Sequence, residues 1–493
     1  MIKHQNYDVI IIGSGIGGLV CGCYLAKHGM KVLIIEKHTQ TGGYCTSFTR
    51  DGYHFDVAVH SLRGVKEENQ IGILFKDLNI KSSTLMTRID PSDAIVFKNK
   101  RLHIYNDIDN TIRSFVSVFS NQKKEIERFF LFVTKTDFTT LYKRAFKNTF
   151  RELLDNFFYD EELKTCFNIL LGNLGLDSDR ISAFSTLVFF RELFTDGGYY
   201  PKNGMQAFPN ALEKKVKEYG GEVLLFNEVQ KIVIKNSKVD GVVLKNGDFI
   251  RSRLVVSNAD AQQTYRMLIG KEYLDKDLLR RLNHLIVSPS ALIVYLGINS
   301  KLKNEERCCT LWYFPSQNSV RCYKECFESK VTQIGEYSIC GLSSLSVSHQ
   351  LNHGKVSVSL TSMAPWKEEN YWSINKEKVA EKIIRKAIEA LGIPRGGIEL
   401  KEIATPLTLY KYTYNHNGAL YGWASIPRQI NKCIMPQKSR IKGLYLCGHW
   451  ATRGWGQGGI SMVVNSGRTT ANMILKPSTS SKLGVTNVSH AYS

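Results

Sequence analysis

Three hydrophobic patterns follow one another along the 493-residue chain. The first is the unbroken apolar run. "YDVIII" (Tyr7 to Ile12) and "KVLIIE" (Lys31 to Glu36) are apolar at every central position, as strands of a parallel sheet covered on both faces must be. Between them, "LVCGCYLAKHG" sets Leu19, Cys23 and Ala26 on one helical face, and Gly29 follows as its cap. The first forty residues therefore predict strand, glycine loop, helix, strand. The second pattern is the helical period. From about Asn106 to Ala207, stretches such as "KKEIERFFLFVTKTDFTTLYKRAF" and "ISAFSTLVFFRELF" repeat apolar residues every three or four positions. The Phe-rich second stretch is expected to be helix core, with tunnel lining or membrane contact as alternatives. The third pattern is alternation. "EVLLFNEVQKIVIKNSKVDGVVLKNGDFIRSRLVVSNAD" (Glu222 to Asp260) predicts a β-meander with turns at Asn236-Ser237 and Asn246-Gly247. Its end, "LVVSNAD", is expected to re-enter the parallel sheet.

Beyond Ser288, strand-like runs ("ALIVYLGI", "VSVSLTSMAP") accompany one amphipathic helix, "NKEKVAEKIIRKAIEALG". An antiparallel sheet with a covering helix is expected there. "KGLYLCGHW" is a late strand ending in glycine, expected to pair with the N-terminal strand, and "GISMVVNSGRTTANMIL" is a helix after it. The predicted class is α/β, in two domains. A discontinuous dinucleotide-binding domain is expected over 1–75, 200–287 and 400–476. A substrate domain of mixed antiparallel sheet and helices is expected over 76–199 and 288–399, and 477–493 is a Ser/Thr/Lys tail expected to be disordered.

Two glycine clusters supply the chemistry. "GSGIGG" (Gly13 to Gly18) follows a strand, opens a helix, and is followed eighteen residues after Gly18 by Glu36. In such a unit Gly13 permits the tight turn, Gly15 lets a pyrophosphate reach the helix N-terminus, and Gly18 allows close helix–strand packing. Glu36 is placed to accept hydrogen bonds from ribose hydroxyls. A nicotinamide domain would proceed to a crossover helix here. This chain instead has a second pair, Gly42 and Gly43, which points to FAD. The second cluster runs through "GLYLCGHWATRGWGQGGISMVVNSGR" (Gly443 to Arg468). A helix beginning near Gly459 would aim its amides at a flavin ring and favour the negative charge of its reduced form. Both clusters are thus expected to close on one elongated ligand.

Charge and cysteines add limits. The formal net charge is +20, from 65 Lys and Arg against 45 Asp and Glu. The basic residues are scattered and no nucleic-acid-binding motif accompanies them, so an anionic membrane surface is the expected partner and nucleic acid is not. None of the 11 cysteines forms a CxxC pair, and no metal site is expected. The odd count, and an N-terminus that enters a strand at once, point to a cytoplasmic protein with peripheral membrane association and no spanning helix.

Taken together, "VIIIGSGIGGL", "EKHTQTGG", "DGYHFD", "GGYYPKNGMQAFPNAL", "GGEVLLFNEV", "VVSNADA", "NGALYGW" and "GLYLCGH…GGI" resemble the phytoene desaturase, carotenoid isomerase and retinol saturase family of FAD proteins. These stretches span most of the chain in that family's order. The resemblance implies a Rossmann-like FAD domain in an amine-oxidase/GDI-like two-domain flavoprotein. It implies FAD contacts at Gly13, Ser14, Gly15, Gly18, Glu36, Lys37, Gly42, Gly43, Val229 (through its backbone, to adenine), Gly448, Gly459 and Ile460. It also implies oxidoreduction at carbon–carbon double bonds of an apolar polyene or isoprenoid. An amine-oxidase- or protoporphyrinogen-oxidase-like enzyme is the alternative within the fold, and a non-catalytic prenyl-binding escort the alternative outside catalysis.

Two places depart from the desaturase pattern. Asp56 is followed by Val57, Ala58, Val59 and His60 rather than by an early glycine, and "CGHW" carries His449. Both histidines are candidate proton donors, with a structural hydrogen bond (His60) and ring packing (His449) as the alternatives. Their presence tilts the expected reaction towards saturation or isomerisation, which need a proton as well as a hydride. Tyr421, Trp423 and Trp455 are expected to line the substrate channel, with aromatic core as the alternative.

Overall fold

The computed structural model describes residues 6–300, 302, 308, 310–314, 339–343, 355–394, 396–430, 434–451 and 459–476. The two N-terminal apolar runs form strands Val9–Ile12 and Val32–Ile35, whose side chains are all buried. They sit at the centre of a five-stranded, fully parallel sheet. Its order is Glu222–Leu224, Val32–Ile35, Val9–Ile12, Val255–Ser257, Leu444–Leu446. The late strand therefore does not pair with the N-terminal one as expected. Val255–Ser257 lies between them.

Alternate residues explain the continuous apolarity. Val9 and Ile11 face helices Ile16–Lys27, Ala207–Glu218 and Ile460–Leu475. Ile10 and Ile12 face the meander, Val229–Lys235, Lys238–Leu244 and Phe249–Ser252. Asn236 and Ser237 both adopt positive φ, 49° and 59°, the conformation a two-residue hairpin turn requires.

The second sheet has seven strands, in the order Ile398–Ala404, Ser290–Asn299, Lys355–Ala364, Ile339–Ser343, Thr310–Phe314, Asp93–Phe97, Lys100–Ile104. All its pairings are antiparallel except Thr310–Phe314 with Asp93–Phe97. Strand Ser290–Asn299 also works on both faces. Leu292, Val294, Leu296 and Ile298 pack under helix Glu369–Leu391, while Ala291, Ile293 and Tyr295 join the Phe-rich core of the helices between 108 and 195.

Two expected boundaries move. Ile398–Ala404 pairs with Ser290–Asn299, so the break placed at 400 falls inside a strand of the second sheet and belongs after Ala404. Helix Gln70–Asp77 shares the core of the first helix, and Met86–Ile89 pairs with Gly198–Pro201, so the break placed at 75 moves past Ile89. The expected tail, 477–493, lies outside the described residues.

Candidate active site

Between the two sheets lies a cavity of about 610 Å³ whose wall contains both glycine clusters. The clusters reach one another because side chains are missing where backbones meet. A Cβ on Gly17 would stand 2.7 Å from Gly448 Cα, and one on Gly43 3.3 Å from Gly15 Cα. One on Gly18 would meet the Gly13 carbonyl at 2.2 Å. Gly18 thus serves helix–strand packing and is not on the wall, which Gly13, Gly15, Gly42, Gly43, Gly448, Gly459 and Ile460 form. Gly42 and Gly43 sit at φ 129° and 61°, where an L side chain is strained. The Gly42 N–H donates to the Ser14 carbonyl at 3.0 Å, which ties the second glycine pair to the first.

At one end of the cavity Glu36 is held by its neighbours. Its Oε2 accepts from the Ser14 N–H and hydroxyl, both at 2.8 Å, and its Oε1 accepts from the His38 N–H at 3.0 Å. Ser14 is itself fully buried behind the wall, so it acts by fixing Glu36. Lys37 and Val229 line the same end. The Lys37 ammonium lies 3.3 Å above the Tyr414 ring, and burial brings it down to about 8.

The other end is apolar, with Phe48, Leu174, Val188, Phe189, Ile293 and Met363 among its walls. His60 lines it. Its Nδ1 donates to the Ala58 carbonyl at 3.3 Å, and its Nε2 is buried without a partner. Burial, aided by the Arg63 charge, holds this imidazole below its ordinary value. His449 also lines the cavity and packs beside Tyr44 and Trp450, with ring centroids 6.3 Å and 5.3 Å away. Burial lowers it to about 4. At neutral pH it is therefore uncharged. Tyr421 lies on the wall, with its hydroxyl donating to the Gly172 carbonyl at 2.9 Å. Trp423 does not. It is core, stacked edge-on against Trp450 at 4.9 Å, with its indole N–H donating to the Trp450 carbonyl at 3.1 Å. Trp455 lies outside the described residues.

The chain matches the model of the family described as flavin containing amine oxidoreductase over residues 16–475. It belongs to that family. Prolycopene isomerase of Daucus carota is 25% identical, over 90% of this chain and 77% of its own length. All-trans-retinol 13,14-reductase of Danio rerio is 22% identical, over 90% of this chain and 82% of its own. Among solved structures, an oxidoreductase from Methanosarcina mazei superposes with a TM-score of 0.69 at 19% identity, covering 94% of this chain and 99% of that one.

As a member of this family the protein is an FAD-dependent oxidoreductase, and its residues fit that cofactor. Glycine is needed at Gly15, Gly17 and Gly43 for the two loops to close together, since a Cβ there would press on Asn258, Gly448 or Gly15. The buried carboxylate of Glu36 lines one end of the cavity, and the N-terminal turn of helix Ile460–Leu475 opens on the same wall.

Sequence reasoning quoted Asn258 in "VVSNADA" but gave it no role. Its side chain stands at the centre of the cradle. A Cβ on Gly15, Gly17 or Gly448 would meet its amide at 2.8, 2.6 and 2.5 Å. Arg63 and Glu192 were missed as well. Arg63 is buried, donates to Asp93 Oδ2 at 2.6 Å, and shares that carboxylate with the Trp312 indole, which donates to Oδ1 at 2.9 Å. Glu192 had a signal. Ser185, Val188, Phe189 and Glu192 are spaced i, i+3, i+4, i+7 and all line the cavity, so one face of the Phe-rich helix Ala183–Thr195 is tunnel wall while Phe184, Phe190 and Phe194 are core.

Proposed function

We propose that this FAD-dependent oxidoreductase acts on carbon–carbon double bonds of a long, apolar polyene or isoprenoid, in the direction of saturation or cis–trans isomerisation. The observation that carries the reading is the apolar wall that continues directly from the glycine cradle. The names of the two relatives, an isomerase and a retinol reductase, support it. Bound FAD supplies two-electron chemistry, as a hydride acceptor or donor. The chain's part is to orient the chain of double bonds along the wall and exclude water. Tyr421 is anchored through its hydroxyl and keeps its ring as a fixed surface for that purpose. His60, whose Nδ1 carries the proton given to the Ala58 carbonyl, presents the lone pair of an unpartnered Nε2 to the same space, where it can take up a proton.

Anaerobic incubation of photoreduced protein with candidate polyenes, followed by product mass, tests the direction. A gain of two hydrogens with flavin reoxidation is the saturase result, and unchanged mass with altered geometry is the isomerase result. Loss of two hydrogens by oxidised protein alone would make it a desaturase.

A water-insoluble substrate has to be drawn from lipid, which supports a peripheral membrane partner. Helix Lys123–Lys135 exposes Leu131 (61%) and carries Lys123, Lys124 and Arg128 in its first two turns. No helix among the described residues is long and apolar enough to cross a membrane. The protein should bind anionic liposomes and release them as salt rises, because the attraction is between screened charges. Equal binding to neutral vesicles, or none to either, would remove the electrostatic reading.

A further inference from the structure

Glu192 is a carboxyl group placed where a carboxylate is expensive. It projects from the cavity face of helix Ala183–Thr195, and its Oε1 is buried without a hydrogen-bond partner. It adjoins the first turn of helix Ile460–Leu475. A Cβ on Gly64 would stand 2.3 Å from Ser461 Oγ and 3.3 Å from Glu192 Oε1, so both oxygens border one point. Ser461 donates its only hydroxyl proton to the Arg63 carbonyl at 2.9 Å.

The charges around Glu192 do not neutralise it. Arg63, from the loop packed beside Glu192, is committed to the buried Asp93. Asp196, one turn along the same helix, accepts from the Val65 and Lys66 N–H groups, and the Lys66 ammonium donates to the Thr195 carbonyl. His60, nearby on the wall, is held in its neutral form. Burial raises Glu192 to about 7; Ser461 and Arg63 oppose that rise and Asp196 adds to it.

We propose that Glu192 is the proton-holding residue of the flavin site. When two electrons and one proton enter the bound cofactor, a second proton from solvent settles on Glu192 Oε1 and offsets the negative charge gained beside the Ile460–Leu475 N-terminus. The proton leaves when the electrons leave. The donor of the electrons is the reductant supplied in the measurement or a reduced substrate in turnover. The proposal rests on FAD alone and is independent of which substrate the cavity accepts.

A spectroelectrochemical titration of the FAD-loaded protein between pH 6 and 9 tests it. Below about pH 7 Glu192 already carries its proton in the oxidised protein, so reduction takes up one proton. Above that pH reduction takes up two, and the fall of the midpoint potential with pH should become twice as steep. Glu192→Gln should keep the single-proton slope throughout, and Glu192→Asp should keep the steep segment. If the variants fail to retain flavin, the wild-type slope and the infrared difference spectrum on reduction at pH 8 decide, with a protonated-carboxyl band expected to appear. A single slope across the range in the wild type, no such band, or a steep segment surviving in Glu192→Gln would overturn the proposal. Wild-type protein that binds no FAD would instead contradict the cofactor assignment.

Discussion

Gly15→Val is expected to give a folded protein without flavin. At Gly15 even a Cβ would stand 2.8 Å from Asn258 Nδ2, tighter than packed atoms tolerate, and valine adds two branched methyl groups. Asn258 cannot withdraw cheaply. Its N–H donates to the Ile12 carbonyl at 2.9 Å, its Oδ1 accepts from Cys447 Sγ at 3.5 Å, and Gly17 and Gly448 are fitted around that same oxygen. Relieving the clash therefore disturbs the turn at the helix N-terminus, where a pyrophosphate is expected to bind. The backbone itself is ordinary at Gly15, with φ −59°, so the fold has no reason to collapse. Far-ultraviolet dichroism should match the wild type while the 450 nm flavin absorbance is absent. Retention of flavin near full occupancy would show that this loop does not hold the cofactor.

Glu36→Ala is expected to damage stability and cofactor binding together. The carboxylate satisfies three donors, the Ser14 N–H, the Ser14 hydroxyl and the His38 N–H. Ser14 is fully buried, so its N–H and hydroxyl lose their acceptor without water to replace it, whereas the part-buried His38 N–H can turn to water. Each buried donor left unpaired costs about 1–3 kcal/mol, which gives a loss of about 2 kcal/mol or more. That is a large part of the 5–15 kcal/mol typical of a domain. Removal also takes away the acceptor expected for the ribose hydroxyls. The apoprotein should melt several degrees lower, and flavin affinity should fall by at least tenfold. Glu36→Gln keeps an acceptor oxygen and should fall between the two. An unchanged apoprotein melting point would mean that Ser14 and His38 find other partners.

What the sequence made legible follows from how local each signal is. The first βαβ unit is contiguous, and its glycines, Glu36 and the buried strands 9–12 and 32–35 lie in one short window. The Asn236-Ser237 turn is equally local. The long helix was visible from Asn375 onward, although it begins at Glu369, because "ENYWSI" carries no sharp capping signal. Legibility failed where segments far apart in sequence converge. Asn258 gains its position from loops ending strands 9–12, 255–257 and 444–446. No window of sequence contains all three. Trp423 and Tyr421 look alike as aromatics two residues apart, and only the partners distinguish them, Trp450 for one and the cavity for the other. The pairing of the late strand was misjudged because two apolar strands of the same parallel sheet carry no mark of which is the neighbour. Glu192 was hidden by the apolar character of its helix, within which its spacing from Ser185 was the only clue.

The central claim, a flavin cradle that continues into a polyene channel, is tested most directly by offering two substrate classes to one protein. The FAD-loaded protein, oxidised and photoreduced, is incubated without oxygen with a polyene and, separately, with a primary alkylamine, while product mass and geometry and the flavin spectrum are recorded. Conversion of the polyene by one of the two flavin states, with no bleaching of the flavin by the amine, is the predicted result. Bleaching by the amine with the polyene returned unchanged would contradict it.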